Sequence, residues 1–342
     1  MENRRISLRD LARMAKVSHA TVSLALRNSP DVAAATRERI EQLARACGYQ
    51  PDPMLRALAE YRRDKTAPPY QSTLAWINYY QNPADADCVG DFRLHREGAE
   101  ERARELGYKL ELFTPCRDRL TAPQLGKILQ TRGIQGLLFA PLPKHGKIGD
   151  FDFSPFAAIT FGYSLLAPQI HRVANDQFEA GSLALTRLRE AGRRRIGFVT
   201  SRGQSERTNW NFIGGFLAAQ AALPEKEKIP VFIHDETFLD KNGFRKMQPW
   251  FRAHRPDGIV THFGEMPEHL LKSGRAIPKE IAVALLSVMP GDSRSGVNLN
   301  SKEVGRSAID SLASMLYHNE KGIPKLSKRI LVQAVWQDGD TV

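Results

Sequence analysis

Apolar positions recur at helical spacing through the first 48 residues. Leu8, Leu11, Ala12 and Ala15 share one face, as do Val22, Ala25 and Leu26, and then Ile40, Leu43 and Cys47. The pattern predicts three short helices, with Ser7 and Asp10 as an S-x-x-D capping box, Ser18 as the second N-cap, and Gly48 ending a third helix that runs from Ala34 to Cys47. From residue 72 the period changes. Strand-like apolar runs ("TLAWINY", "YKLELF", "IQGLLFA", "AAITFG", "RIGFVT", "IPVFIH", "GIVTHF", "IAVALLS") alternate with amphipathic stretches near 91–106, 121–132, 177–191, 208–222 and 242–254. Such alternation predicts parallel sheets covered by helices on both faces. Two such units in tandem place a ligand at the C-terminal ends of the strands, in the cleft between them.

Charge sharpens the contrast between the two regions. The 342 residues carry a formal net charge of +11, which favours polyanionic partners. Residues 1–65 hold 13 Lys and Arg against 8 Asp and Glu, whereas the other 277 residues hold 36 against 30. The basic density lies at the N-terminus. Cys47, Cys88 and Cys116 form no C-x-x-C pair and have no histidine at ligand spacing, so neither a metal nor a disulfide framework is expected. No cofactor motif is found: G-x-G-x-x-G after a strand, G-x-x-x-x-G-K-[ST], G-x-S-x-G and H-E-x-x-H are all missing. The start "MENRRISLRD" is no signal peptide and no run reaches membrane-spanning length, so a soluble cytoplasmic protein with no membrane partner is expected.

The stretch "KVSHATVSLALRNSP" opens its helix with small polar residues in an arginine-rich surrounding. Two helices joined by a turn, the second beginning Ser18-His19-Ala20-Thr21, make a helix-turn-helix whose second helix fits the major groove. Ser18 and Thr21 suit phosphate oxygens at a helix N-terminus. A three-helix bundle with ordinary surface hydroxyls fits the same pattern.

The longer run "ISLRDLARMAKVSHATVSLALRNSPDVAAATRERIEQLARACGYQP" resembles the DNA-binding head of the lactose-repressor (LacI/GalR) family of transcriptional regulators. The resemblance rests on Leu8, Asp10, Ala12, Ala15, Val17, Ser18, Thr21, Val22, Ser23, Leu26, Asn28, Val32, Thr36, Arg37, Ile40, Gly48, Tyr49 and Pro51. It implies that His19, Ala20 and Leu24 read bases: His19 by hydrogen bonding, Ala20 against a thymine methyl, Leu24 by apolar contact alone. Many relatives carry arginine in place of Leu24. Ser7, Thr21, Asn28, Thr36 and Arg37 match positions that touch the DNA backbone, and Ser18 and Tyr49 complete the expected interface. Ala33 replaces the usual serine cap of the third helix.

"YQPDPMLRALAEYRRDKTAPPYQS" joins head to body. Asp52 can cap a short helix with Pro53 at its first position, and Met54, Leu55, Leu58 and Ala59 line one face. The resemblance implies that Leu58 wedges between base pairs in the minor groove, with Arg56 near phosphates. A plain interdomain linker is the other reading. The residues after Tyr61 read as the tether.

The body resembles the family's periplasmic-binding-protein-like core, best along 173–199 and 295–316. The implied fold is a three-helix helix-turn-helix head (1–50), a hinge helix and linker (51–71), and a core of two α/β subdomains. The first comprises 72–161 and 292–322 and the second 162–291 and 323–342, with crossings near 161–163, 288–292 and 322–325. Candidate effector contacts near strand ends are Asn78, Tyr79, Asp176, Asn209, Trp210, Asn211, His262 and Ser287. The family's polar contacts are altered. Phe212 fills a slot that commonly holds arginine, Gln177 replaces an asparagine, and "LLSVMP" replaces an aspartate pair.

The expected protein is therefore a transcriptional regulator, a repressor of carbohydrate-related genes, and not an enzyme. It binds a near-palindromic double-stranded operator as a homodimer and takes a small-molecule effector of the sugar class. The altered contacts leave a second reading open: a ligand-blind regulator controlled by a protein partner or constitutively bound to DNA. The helix at 91–106 is the expected dimer element, because Leu94, Gly98 and Arg102 share a face.

Overall fold

The computed structural model describes residues 8–26, 31–47, 72–82, 84–85, 90–235 and 241–342. The three head helices are α1 (Leu8–Ala15), α2 (His19–Ala25) and α3 (Ala34–Ala46). Leu11, Ala12, Ala15, Val22, Ala25, Val32, Ile40 and Ala44 form their common core, with Leu8, Val17, Leu26 and Leu43 packed around it. Cys47 is half-buried rather than in the core, because α3 stops one residue earlier and Cys47 is its C-cap. Ala33 stands at the N-cap of α3 and makes no side-chain cap bond. The expected hinge helix lies outside the described residues, as do Ser7, Asn28, Gly48, Tyr49, Arg56 and Leu58.

The body strands are β1 (Ser72–Ile77), β2 (Tyr108–Phe113), β3 (Gly136–Phe139), β4 (Gly146–Lys147), β5 (Ala157–Phe161), β6 (Leu165–Ala167), β7 (His171–Asn175), β8 (Ile196–Ser201), β9 (Phe232–His234), β10 (Gly258–Thr261), β11 (Ala282–Leu285), β12 (Gly296–Asn298), β13 (Arg329–Val332) and β14 (Val335–Gln337). The helices are α4 (Gly90–Glu105), α5 (Ala122–Thr131), α6 (Gln177–Glu190), α7 (Arg202–Arg207), α8 (Asn211–Ala221), α9 (Lys241–His254), α10 (Met266–Lys272) and α11 (Ser301–Tyr317). One sheet runs β13-β7-β5-β3-β1-β2 and is wholly parallel. The second runs β14-β12-β11-β10-β8-β9, with only β14 antiparallel. Along β1, Ala75 and Ile77 enter one core while Leu74 and Trp76 enter another on the opposite face. A strand buried on both sides reads as a continuous apolar run, which is why these strands stood out in the sequence.

Every strand run and helix read from the pattern within the described residues has a counterpart, but the subdomain boundaries differ. The chain crosses between sheets at 175–177, 298–301 and 332–335, each later than expected. The cause is β7 and β13: both belong to the first sheet, paired in register from Arg172 against Arg329 to Asn175 against Val332. β7 (HRVAN) carries polar residues at both ends and β13 is a largely exposed edge, so neither made an apolar signal. The crossings are tied together. Asp176 N donates to the Val332 carbonyl (2.8 Å), and Asn300 Nδ2 donates to the Gln333 carbonyl (2.9 Å).

The helix expected near 208–222 is two, α7 and α8, broken at Asn209 and Trp210, whose φ angles are 51° and 60°. The face of α4 assigned to a dimer is also otherwise engaged. Gly98 is pressed against α11, where a Cβ would stand 1.9 Å from the Lys302 carbonyl oxygen, and Arg102 Nε donates to Asp310 (2.7 Å). In a helix pair this close, the glycine face is a packing surface within the chain.

Candidate functional site

The head presents α2 outward. Ser18 Oγ accepts from the Thr21 backbone N–H (3.0 Å) and lies 2.8 Å from the Thr21 hydroxyl, so both hydroxyls sit at the helix start. Ala20 and Leu24, one turn apart, are exposed, while Val22 and Ala25 hold the helix on its core. Thr36 and Arg37 are half-buried in the first turn of α3, and Arg37 Nη2 donates to the Val32 carbonyl (3.2 Å). His19 is the first residue of α2. Short side chains thus surround an N-terminus whose free N–H groups and dipole favour a phosphate.

A cleft of about 620 Å³ lies between the two subdomains. It opens at the C-terminal ends of β1, β3, β8 and β10, where the order of each sheet reverses from one neighbour to the next. Of the eight candidate contacts, His262 and Ser287 line it. The other six do not, for local reasons. Asn78 is buried and its Oδ1 accepts from the Tyr80 N–H (2.9 Å), shaping the turn after β1. Tyr79 packs on the first core, and burial pushes its phenol up to about 12, helped by nearby Cys116. Asp176 caps α6 by accepting from the Glu179 N–H (2.9 Å). Asn209, Trp210 and Asn211 form the α7–α8 break and the start of α8.

The cleft is built chiefly from residues that the sequence did not single out. Asp91, Phe92 and His95 come from the first turns of α4, Tyr163 from the segment after β5, and Gln204 and Arg207 from α7. His95 is buried between aromatic rings, 5.4 Å from Phe161 and 6.1 Å from Phe92. Neither of its ring nitrogens has a hydrogen-bond partner. Burial pushes its imidazole down to about 3, so the ring is neutral. His262 is neutral for the same reason, also pushed to about 3; its Nδ1 lies 3.1 Å from the Thr200 hydroxyl and its buried Nε2 has no partner. Gln177 donates to Asn175 Oδ1 (3.3 Å) and leaves its buried Oε1 unpaired. Asp91 and Arg207, two of the charged groups that line the cleft, are already engaged. Asp91 accepts from Ser287 Oγ (2.8 Å) and Ser301 Oγ (2.6 Å). Arg207 lies over the Phe92 ring (5.7 Å) and donates to the Pro143 carbonyl (2.5 Å). The spacing Asp91-x-x-x-His95, one helical turn apart after the first strand, was the signal available in the sequence. Among the described residues no group of three or more metal-ligating side chains is found, and no helix is long and apolar enough to cross a membrane.

Comparison with known proteins joins these two regions. Residues 7–52 match the family described as bacterial regulatory proteins, lacI family, and residues 185–336 match the periplasmic binding protein-like domain. The chain is a LacI-family transcriptional regulator. The HTH-type transcriptional repressor CytR of Escherichia coli (strain K12) is 29% identical over 286 residues, covering 81% of this chain and 78% of CytR. The fold agrees with that of a transcriptional regulator CelR–cellobiose complex, at a TM-score of 0.58 and 20% identity over 99% of this chain and 100% of that one. It also agrees with that of the lac repressor dimer bound to operator and the anti-inducer ONPF, at 0.55 and 16% over 99% of both chains. LacI-family transcription regulators are not enzymes, and the DNA-binding head stands with a periplasmic-binding-protein-like core of two parallel α/β sheets, as the sequence led us to expect.

Proposed function

We propose that this LacI-family regulator represses carbohydrate-related genes by binding a near-palindromic operator as a homodimer, and that an uncharged sugar in the cleft controls that binding. One observation carries the effector reading. Buried polar atoms of His95, His262 and Gln177 line a cleft bounded by Phe92, Tyr163 and Phe212, and none of these atoms has a partner in the chain. Unpaired buried polar groups are costly, and hydroxyls of a sugar supply both donors and acceptors to neutral imidazoles and an amide. Arg207 is turned onto Pro143 and Phe92, which leaves the exposed Lys144 as the lining's other lysine or arginine. The CelR–cellobiose complex shares the fold, and the lac repressor structure is a dimer on its operator. Operator reading is assigned to His19, Ala20 and Leu24, with backbone contacts from Ser18, Thr21, Thr36 and Arg37, on the strength of the family resemblance, and the exposure of Ala20 and Leu24 on α2 supports it.

Thermal unfolding of the full chain against neutral mono- and oligosaccharides, sugar phosphates and nucleosides tests the effector. A ligand at 100 times its dissociation constant stabilises by about 2.7 kcal/mol. A shift with neutral sugars, lost in Gln177→Leu, is the expected result. A shift confined to sugar phosphates overturns the uncharged class. No shift with any compound, while duplex DNA still stabilises the head, favours the ligand-blind regulator instead.

A further inference from the structure

Asp91 occupies an unusual position for a carboxylate. It lies in the first turn of α4, beside the first turn of α11, and is sheltered between the two subdomains. The helices α4 and α11 form one rigid unit. Gly98 sits on the Lys302 carbonyl and Gly305 on the His95 carbonyl, while Lys302–Glu101 (2.7 Å), Arg102–Asp310 (2.7 Å) and Arg306–Glu105 (2.9 Å) lace their outer edges. Two helix N-termini therefore converge on one anion, which both dipoles favour.

The two serines that donate to this carboxylate differ in origin. Ser301 is the first residue of α11 and moves with Asp91. Ser287 follows β11 and belongs to the second sheet, held there because Leu286 N donates to the Thr261 carbonyl (2.8 Å). Of these two bonds, the one from Ser287 crosses from one subdomain to the other. Parting the subdomains strips this donor from the carboxylate and leaves Ser301 alone to serve it. Burial already pushes the Asp91 carboxyl above its ordinary range, with the serine bonds opposing the shift.

We propose that the Asp91–Ser287 hydrogen bond is the latch that holds the cleft closed, and that its rupture is required for the subdomains to separate. Asp91 and Ser287 both line the cleft, so a ligand hydroxyl reaching the pair bonds to the same atoms that set closure. This rests on the cleft being the effector site, and makes the latch its regulatory element. Arg207 on Pro143 acts in parallel at the lip. A charge-assisted bond of this kind biases the closed-to-open ratio about ten-fold or more.

The test measures the distance between spin labels at Lys144 and Arg202, exposed residues that follow β3 of the first sheet and β8 of the second, in the ligand-free full chain with Cys47, Cys88 and Cys116 replaced by serine. Wild type is expected to give a short distance. Ser287→Ala and Asp91→Ala should each lower the closed fraction about ten-fold, and the double variant should fall no further than either single one. Ser301→Ala removes a bond of similar length within one subdomain, and should lower the melting temperature without lengthening the distance. A ligand-free protein that is already open, a Ser287→Ala distance equal to wild type, or additive effects in the double variant would overturn the latch. Because no ligand is present, this result is independent of whether a sugar is ever found to bind.

Discussion

The backbone of Gly305 rests on the backbone of His95: a Cβ at Gly305 would stand 2.0 Å from the His95 carbonyl oxygen. Neither backbone can yield without α4 and α11 moving apart. Gly305→Ala is therefore expected to destabilise the first subdomain by about 1–3 kcal/mol. Because α4 carries Asp91, Phe92 and His95, the same variant should bind any cleft ligand more weakly. Chemical denaturation and ligand titration check both parts. Unchanged stability would mean that the helices are not in contact at this point.

The two cleft histidines make stability depend on pH. Each has its ordinary value of 6.5 in the unfolded chain and is pushed to about 3 in the folded one by burial. Between those values the unfolded chain takes up protons that the folded protein refuses. Stability is whole above pH 6.5 and falls as the pH drops toward 3, by about 1.4 kcal/mol per histidine per pH unit well below 6.5. His171, also lowered by burial, adds to the slope, whereas Asp91, raised by burial, acts against it. Urea midpoints at pH 7.5, 6.5 and 5.5 should decline, and replacing both His95 and His262 by phenylalanine should flatten the curve.

Ala33 leaves the N-terminus of α3 without a side-chain cap, on a backbone with φ −53° and ψ 139°. A serine there can accept from an N–H in the first turn. Ala33→Ser should stabilise the head by about 1 kcal/mol, visible in its melting. An unchanged or lower melting temperature would show that the backbone at this position does not accept the cap.

Leu24 is 36% exposed on α2, one turn beyond Ala20. If this face reads bases, Leu24→Arg should create a guanine preference at one position of each half-site, of about 1–3 kcal/mol, in selection from a random duplex library. A uniform gain in affinity with a steeper salt dependence would place the new side chain on phosphates instead.

The legible parts of this chain are those where burial is complete or the local motif is dense. β1, β3, β5, β8, β10 and β11 are buried on both faces and announce themselves as apolar runs. β7 and β13 do not: Arg172 is buried within the sheet yet polar, and β13 exposes Ile330 and Leu331. Missing them displaced every crossing. In the cleft, the family resemblance marked Gln177, Phe212 and the run that holds Ser287 as altered, and all three residues line it. The identities at those positions no longer told what replaced the lost contacts. His95 and Asp91 looked like parts of an ordinary amphipathic helix, since only the close approach of α11 and the second sheet turns that helix end into a buried polar site.

The crossing at 332–335 has a consequence for synthesis. β13 is the outer strand of the first sheet and β14 the outer strand of the second, so residues 329–337 finish both. A nascent chain stalled on the ribosome before Arg329 has neither sheet complete, although nearly all of its core residues have been translated. The two subdomains should then mature together once residues 329–337 have left the ribosome, rather than one after the other, and neither can be cut from the gene as a single uninterrupted fragment.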